Sequence, residues 1–396
     1  MKRKNQTKYR NYMIKKSTKV FYWSPFLGKV ATIRAVLNSA ISLKKYSKNK
    51  FNVSIINCFS EWDNFSEILK KNLIDKVELN EDFKININIT GFIKSRLIYF
   101  ISFFKLYLKL KNLIKKNEPD YLIIHLITYI PLILFFINKF NTKLILRISG
   151  KPELNYLRKF LWKIVNNKIY KITCPTSETL EYLKKNKIFS EKKLFFLPDP
   201  AININEIIQK KKLTINKFDT FKSKDYFINI GRFTEQKNQL FLINEFKNNS
   251  IKENLLFVGS GELKNVMIKK IDEFGLNSNI KILDYQKNVF NLIRHSRGVI
   301  VASKWEDPGF IMIEAAAVGI PIICSDCPSG PKEFISNNEC GYLFSLKEKN
   351  SFFDKFNQFN IDNIENINKK ILKAKRKSKI YTKFNHFKIL SEKIFI

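Results

Sequence analysis

Cysteine and histidine are scarce in this chain of 396 residues, which contains five cysteines and three histidines. The cysteines are scattered and odd in number, so they do not form a disulfide framework. Cys324 and Cys327 have the C-x-x-C spacing of redox and zinc sites, but only Cys340 lies near them in sequence. A zinc site would need two further ligands. We therefore expect reduced, structural cysteines and a reducing compartment.

Long apolar runs are also missing. The most hydrophobic stretch, residues 121–137, is interrupted by His125, Thr128 and Pro131. It is shorter than the ~20 residues that a membrane-spanning helix needs. The N-terminus is basic through Lys19 but has neither the apolar core nor the cleavage site of a signal peptide. These features predict a cytoplasmic protein, either free or peripheral at the inner face of the cell membrane.

Acidic residues are few compared with basic ones. The 35 Asp and Glu residues stand against 71 Lys and Arg residues, which gives a formal charge of +36. Such a charge is typical of proteins that bind nucleic acid or an anionic membrane. However, the cations are mostly lysines spread along the chain, and Asn, Ile and Phe are abundant as well. The charge therefore has two explanations, compositional bias and attraction to a membrane.

One segment bears on this choice. Residues 92–116 mix aromatic and basic side chains along a predicted helix. That composition suits the headgroup interface of a membrane. The alternative is a helix packed on the core with its lysines in water. No nucleic-acid-binding module is recognisable, so the sequence predicts no nucleic acid partner.

Short apolar runs alternate with helical patterns along the whole chain, which predicts α/β structure with parallel sheets covered by helices on both faces. At this length two domains are expected. A hinge is predicted at residues 198–200, followed by a polar stretch of little periodicity up to about residue 224. Two Rossmann-like, doubly wound domains would then face each other across a cleft. The predicted strands are 19–24, 53–57, 121–125, 143–148, 169–174, 226–230, 255–258, 280–283, 298–302 and 321–324.

Residues with ligand-binding chemistry follow several predicted strands of the second half. Arg232 and Lys237 lie in one loop before a helix and could neutralise a diphosphate together. Gly259 and Gly261 allow a tight turn and close approach of the backbone to a ligand. They lack the third glycine of a dinucleotide fingerprint, which counts against an NAD enzyme. Gly330 lies in a further loop of small residues.

The segment Glu306–Glu314 follows the apolar run of residues 298–302. Asp307 is a suitable N-cap and Pro308 a suitable first residue for a helix. The amides of the residues from 309 to 311 should then be unpaired and point at a ligand. An anion fits there, most plausibly a phosphate.

Together these features resemble the donor domain of the family 4 (group 1) glycosyltransferases, which have the GT-B fold. Order and spacing agree from about residue 226 to 345, and the resemblance is fainter in the first half. The matching residues are Gly231-Arg232, Lys237-Asn238, Gly259-Ser260-Gly261, Glu306 and Glu314, Gly319-Ile320-Pro321, Ser325 to Glu333, Gly341, the loop Pro25-Phe26-Leu27-Gly28, and His125 at the end of a strand.

The resemblance implies a retaining transferase that moves a hexosyl or N-acetylhexosaminyl group from a nucleotide-diphosphate sugar to a glycan or lipid-linked acceptor. The setting would be cell-surface polysaccharide biosynthesis, as for lipopolysaccharide, capsule or O-antigen. It also implies an acceptor-binding domain over residues 1–203, a donor-binding domain over residues 204–378, and a helix over residues 379–396 that crosses back to the first domain.

The family's residue roles can be transferred position by position. Glu314 would bind the ribose hydroxyls of the donor, and Glu306 would lie near the donor sugar. Arg232 and Lys237 would stabilise the leaving diphosphate, and His125 would contact the donor sugar or the reacting centre from the opposite domain. The remaining donor-binding positions would be Gly28, Gly259, Gly261, Gly309, Phe310 and Gly330.

No Asp-x-Asp motif occurs in the chain. We therefore expect no metal ligands and no cofactor, with the nucleotide sugar as substrate. Two other functions stay open. One is a nucleotide-sugar epimerase of the same fold, and the other is a basic nucleic-acid-binding protein. The combination of Arg232 and Lys237 with Glu306 and Glu314 favours the transferase.

Overall fold

The computed structural model describes residues 17–26, 31–79, 92–213 and 221–396, with the side chains of residues 31 and 92–102 left out. Gly28 lies outside these ranges. The first half forms a parallel sheet of seven strands in the order β3-β2-β1-β4-β5-β6-β7. Its strands are β1 (Thr18–Trp23), β2 (Phe51–Asn57), β3 (Asp75–Glu78), β4 (Tyr121–Ile124), β5 (Lys143–Arg147), β6 (Ile169–Cys174) and β7 (Leu194–Phe196).

The second half forms a parallel sheet of six strands in the order β10-β9-β8-β11-β12-β13. Its strands are β8 (Tyr226–Ile230), β9 (Asn254–Val258), β10 (Ile280–Leu283), β11 (Gly298–Val301), β12 (Ile322–Ser325) and β13 (Tyr342–Phe344). The predicted architecture of two parallel, doubly wound sheets is confirmed. Every predicted strand is present within two residues of its expected bounds, whereas the short edge strands β3, β7 and β13 were not predicted.

Helices cover both faces of each sheet. Those of the first half are α1 (Ala31–Tyr46), α2 (Ser66–Lys71), α3 (Phe92–Asn117), α4 (Tyr129–Ile137), α5 (Tyr156–Val165) and α6 (Ser177–Lys185). Those of the second half are α7 (Ile204–Lys210), α8 (Gln239–Asn248), α9 (Lys264–Glu273), α10 (Phe290–His295), α11 (Phe310–Val318), α12 (Gly330–Ile335), α13 (Ser351–Ile361), α14 (Ile364–Ser378) and α15 (Lys383–Ile389). Among the helices described, none is long and apolar enough to cross a bilayer.

The stretch after the hinge differs from our expectation, because part of it is helical. Asn203 accepts hydrogen bonds from the amides of Asn205 and Glu206 and so caps α7. Ile207 is buried in the core of the second half. The Asn203 cap and the buried Ile207 side chain stabilise these two helical turns. Because these are single residues in a lysine-rich stretch, the sequence shows no helical periodicity there.

The C-terminal segment lies against the first sheet. Helix α15 packs on α1, and Leu390 and Ile394 belong to the same apolar cluster as β1, β2 and α1. Tyr121 at the start of β4 donates a hydrogen bond from its hydroxyl to the carbonyl of Phe395 at 2.7 Å. The last residues of the chain therefore help to cover the first domain.

In both sheets the direction of strand progression reverses once, between β1 and β4 and between β8 and β11. Adjacent loops at such a switch point diverge to opposite faces and leave a crevice at the carboxyl ends of the strands. His125 follows β4, the loop with Arg232 follows β8, and Glu306 comes shortly after β11. The candidate residues thus belong to the two crevices.

Candidate functional site

Lys237 and Glu306 form the centre of the site. The ammonium group of Lys237 pairs with the Glu306 carboxylate, and Ser303 donates a hydrogen bond from Oγ to the same oxygen at 2.7 Å. Two further hydrogen bonds join their loops. Gln236 Nε2 donates to the carbonyl of Trp305 at 3.0 Å, and the amide of residue 304 donates to the carbonyl of Gln236 at 2.8 Å. The structure therefore brings together two residues that are 69 positions apart.

Arg232 lies in the same loop but is exposed. Its guanidinium group has one long contact, at 3.4 Å from Gln236 Oε1. Gln239 donates to the backbone carbonyl of Arg232 at 3.0 Å. The backbone is thus fixed while the guanidinium group extends into solvent, where it is able to reach an incoming anion.

The glycines of the site allow loops to pack against each other. A Cβ atom on Gly259 would lie 1.9 Å from the carbonyl oxygen of Gly231, and one on Gly261 would lie 2.4 Å from that of Phe233. A Cβ on Gly330 would lie 2.0 Å from the carbonyl oxygen of Pro308. We expected Gly259 and Gly261 to admit a ligand. In the structure the backbone that approaches them belongs to the neighbouring loop.

Asp307 does not cap the helix, contrary to our expectation, and Pro308 is not its first residue. Helix α11 begins at Phe310, and Gly309 occupies the N-cap position with φ +89°. A capping side chain must stand directly before the first helical residue. Asp307 is two residues further away and instead accepts a hydrogen bond from Thr179 Oγ1 of the first half at 3.3 Å.

Phe310 and Glu314 lie on α11, one turn apart. Glu314 is buried, with a relative exposure of 1 %. Arg34 of α1 pairs with one oxygen of its carboxylate, donates to the carbonyl of Ala201, and lies over the ring of Phe310 at 5.2 Å. The other oxygen of Glu314 is buried and has no partner among the described residues. Because Arg34 is 280 positions from Glu314, the sequence did not indicate this contact.

His125 is buried on the opposite side of the cleft. Its backbone amide donates to the carbonyl of Trp23 at 2.9 Å, which continues the pairing of β4 with β1. The ring lines a small cavity beneath the hinge, together with Arg147, Asp199 and His386. Burial lowers the pKa of His125 well below its usual value, and the charge of Arg147 lowers it further. Neither ring nitrogen has a partner among the described residues, so the buried imidazole is neutral and its hydrogen-bonding capacity is unused there.

At the N-termini of α6 and α12, which face each other across the cleft, glutamate carboxylates accept hydrogen bonds from backbone amides of the opposite half. Glu178 in the first turn of α6 accepts a hydrogen bond from the amide of Ser329 at 2.8 Å. Glu333 of α12 accepts one from the amide of Glu178 at 3.1 Å. Negative charge is favourable at both helix starts. The two partners are 151 and 155 positions apart in sequence, so no local pattern indicates these contacts.

A metal site is not apparent in the part of the chain that the structure describes. There, no group of three or more His, Cys, Asp or Glu side chains is arranged to hold an ion. The five cysteines are buried and free. Metal independence stays a prediction.

Known proteins share both the sequence features and the fold. Residues 210–378 match the family described as "Glycosyl transferases group 1". An uncharacterized glycosyltransferase of Methanocaldococcus jannaschii is 32% identical over 266 residues. The match covers 61% of this chain and 64% of the other, so the chain spans slightly less than two thirds of that relative. The likeness to the group 1 family therefore lies in the second half of the chain, over residues 210–378.

A second relative comes from Campylobacter jejuni. It is N-acetylgalactosamine-N,N'-diacetylbacillosaminyl-diphospho-undecaprenol 4-alpha-N-acetylgalactosaminyltransferase, 26% identical over 246 residues that cover 60% of this chain and 63% of that one. The solved structure of a glycosyltransferase from Rickettsia africae superposes with a TM-score of 0.75 at 17% identity, over 96% of this chain and 98% of that chain. The fold of the chain is therefore GT-B.

Asp307 makes the contact between the two halves sensitive to pH. The pKa of Asp307 is raised to about 7, chiefly by burial and also by the charge of Asp199, against the lowering effects of Arg147 and of the hydrogen bond from Thr179. An unfolded aspartate has a pKa of ~3.9. Between these two values the folded protein holds a proton that the unfolded chain releases, so the free energy of unfolding falls as the pH rises from about 4 to about 7.

The variant Asp307→Asn removes the titrating group and is expected to flatten this part of the stability profile. Thermal unfolding of both proteins, followed from about pH 5 to about pH 8, measures the effect. The melting temperature of the wild type should fall relative to that of the variant as the pH rises. Asp354→Asn, at an exposed aspartate on α13, is the control and should leave the profile unchanged. Parallel curves for the wild type and Asp307→Asn would contradict the assignment.

Proposed function

We propose that the protein transfers a sugar from a nucleotide-diphosphate sugar to a glycan or lipid-linked acceptor, with retention of configuration, during synthesis of a cell-surface polysaccharide. The observation that carries the proposal is the Lys237–Glu306 pair beside buried Glu314, at the carboxyl edge of a sheet within the matched group 1 region. The name of the Campylobacter jejuni relative specifies a diphospho-undecaprenol substrate, which supports a lipid-linked acceptor here. The proposal includes peripheral contact with an anionic membrane.

Glu314 is proposed to bind the ribose of the donor. One carboxylate oxygen is held by Arg34, while the other is buried without a partner among the described residues. An ionised carboxylate oxygen accepts hydrogen bonds from hydroxyl groups. Because leaving such an oxygen unsatisfied costs free energy, a ribose hydroxyl at this position would be bound favourably.

Lys237 and Arg232 are proposed to stabilise the leaving diphosphate. As the bond between the anomeric carbon and the phosphate oxygen breaks, negative charge grows on the phosphate, and fixed cations and amides favour that state. The start of α11 provides backbone amides close to the same place. Lys237 would exchange its contact with Glu306 for a phosphate oxygen, and Glu306 would then accept a hydroxyl of the donor sugar.

In the same step the acceptor hydroxyl oxygen bonds to the anomeric carbon, and its proton passes to the departing phosphate oxygen. No protein nucleophile is needed for this route. His125 would contact the sugar from the first domain as a neutral ring, because burial keeps the pKa of His125 well below its usual value. It serves as a hydrogen-bonding group rather than as a cationic acid.

Donor binding and transfer should separate between the two glutamates. Glu314→Ala is expected to weaken binding of the matching nucleoside diphosphate by ~10-fold or more, since a hydrogen bond to a charged group is lost. Glu306→Ala is expected to lower kcat by ~10–100-fold, since a hydrogen bond from the donor sugar to a charged group is lost. Calorimetry with UDP, GDP and ADP, followed by turnover with the donor that binds, measures both effects.

The control variant is Glu348→Ala, at an exposed position after β13, which should behave as the wild type. Wild-type behaviour of both site variants would refute the assignment of the glutamates. Stabilisation of the wild type by oligonucleotides alone would support a nucleic-acid-binding protein instead. Conversion of the nucleotide sugar in the absence of any acceptor would indicate an epimerase.

Transfer is expected to proceed without a metal ion, since Arg232 and Lys237 supply the positive charge and no Asp-x-Asp motif is present. Turnover measured after treatment with a chelator should equal that of the untreated enzyme. Loss of activity with the chelator and its recovery on addition of magnesium or manganese would contradict this expectation.

A further inference from the structure

Helices α3, α4 and α5 lie side by side on one face of the first sheet. Helix α4 contacts both neighbours, and Asn138 at its end donates a hydrogen bond to the hydroxyl of Tyr107 on α3 at 3.0 Å. Their inner sides pack into one apolar cluster with the sheet. Their exposed side chains form a surface that we call the outer helical face, made of residues 103–117, 129–137 and 156–165.

The outer helical face exposes many large apolar side chains. Tyr156 and Leu157 are 82% and 77% exposed, and Phe104 is 66% exposed. On α5 the exposed apolar residues recur at the spacing of one helix face. The full set is Phe104, Leu108, Phe136, Ile137, Tyr156, Leu157, Phe160 and Ile164. Apolar patches of this extent usually mark an interaction site.

The charged side chains of the three helices themselves are all basic. Helices α3, α4 and α5 contain no Asp or Glu. Within residues 103–117 and 156–165 the basic residues are Lys105, Lys109, Lys111, Lys115, Lys116, Arg158, Lys159 and Lys163. A face that combines aromatic and aliphatic side chains with cations matches the interface of an anionic bilayer, where the rings enter the headgroup region and the cations meet phosphate.

Other occupants fit less well. A second copy of this chain would place two faces of the same positive sign against each other, which is unfavourable. Single-stranded nucleic acid requires aromatic rings on which bases stack, whereas half of the exposed apolar residues here are Leu or Ile. Charge complementarity therefore favours a phospholipid surface.

We infer that the outer helical face is the surface through which this protein docks on an anionic membrane. Residues 92–116 alone suggested an interfacial helix, and the structure adds α4 and α5 to it. The inference rests on the proposed function in one respect: a lipid-linked acceptor would be located in the membrane on which the protein docks. Docking on this face would hold the first domain at the bilayer that carries such an acceptor.

Flotation with lipid vesicles tests the inference on the full chain. The wild type should float with vesicles of phosphatidylcholine mixed with phosphatidylglycerol, and should float weakly with phosphatidylcholine alone or at high salt. The double variant Leu157→Glu/Phe160→Glu is expected to lose about 10-fold or more of its bound fraction, because it places two acids in the apolar patch. Lys159→Glu/Lys163→Glu is expected to show the same loss.

Matched controls lie on the second half of the chain. Ile361 and Ile364 are 84% and 70% exposed on α13 and α14, and Ile361→Glu/Ile364→Glu should float as the wild type does. Lys347→Glu/Lys349→Glu, at exposed positions after β13, controls for the change of net charge. Unchanged melting temperatures will show that all variants are folded.

The inference would be overturned if the patch variants floated like the wild type, if the controls lost binding equally, or if the patch variants changed the oligomeric state in sedimentation without affecting flotation. Failure of the proposed function would look different. In that case no nucleoside diphosphate would bind to the protein, whatever the vesicles show. With the proposed function intact, the patch variants should keep full turnover on a water-soluble acceptor.

Discussion

All strands of each sheet run in the same direction, and this constraint determines where the chemistry of the molecule lies. Every loop that leaves the carboxyl end of a strand in the second sheet arrives at one edge. Lys237, Glu306 and Gly330 come from three such loops, and Glu314 comes from the helix that follows one of them. The loops are held in contact by backbone approaches that only glycine permits, as at Gly259. The site is thus a property of the sheet edge.

Polar contacts join the two halves at this edge. Arg34 pairs with Glu314, Thr179 donates to Asp307, and Glu178 accepts from the amide of Ser329. Each neutral hydrogen bond contributes little net free energy, because water replaces it at low cost. The Arg34–Glu314 pair is different, because Glu314 is buried and loss of Arg34 would leave an uncompensated buried charge.

The hinge itself is anchored to the first half. Asn38 donates to the carbonyl of Pro200 at 2.8 Å, and the ring of His386 lies 2.8 Å from the carbonyl of Pro198. Burial lowers the pKa of His386 to about 3, so the ring is neutral and donates this hydrogen bond without carrying charge. The C-terminal segment therefore fixes one end of the hinge.

The elements with a strong apolar pattern could be predicted from the sequence. Buried parallel strands are continuous apolar runs, and all ten predicted strands exist. The three missed strands have only three or four residues each and lie at the edges of the sheets, where half-buried residues carry little pattern. The hinge helix α7 was missed because its signal is a single Asn cap and one buried isoleucine.

Contacts between residues that are far apart in the chain could not be predicted from the sequence. Arg34 lies on a helix whose residues give no hint of Glu314, and the role of Asp307 was assigned wrongly because local capping rules took no account of Thr179. The glycines were predicted to let the backbone approach a ligand, whereas in the structure a neighbouring loop approaches them. Local chemistry therefore indicated candidate loops, while the partners of those loops required the fold.

A crystal structure of the protein with the nucleoside diphosphate that binds to it would show whether this sheet edge holds the donor. We expect ribose hydroxyls on Glu314, the diphosphate between Lys237 and the amides at the start of α11, and the Lys237–Glu306 contact rearranged. A nucleotide bound elsewhere, or one whose ribose does not touch Glu314, would contradict this expectation.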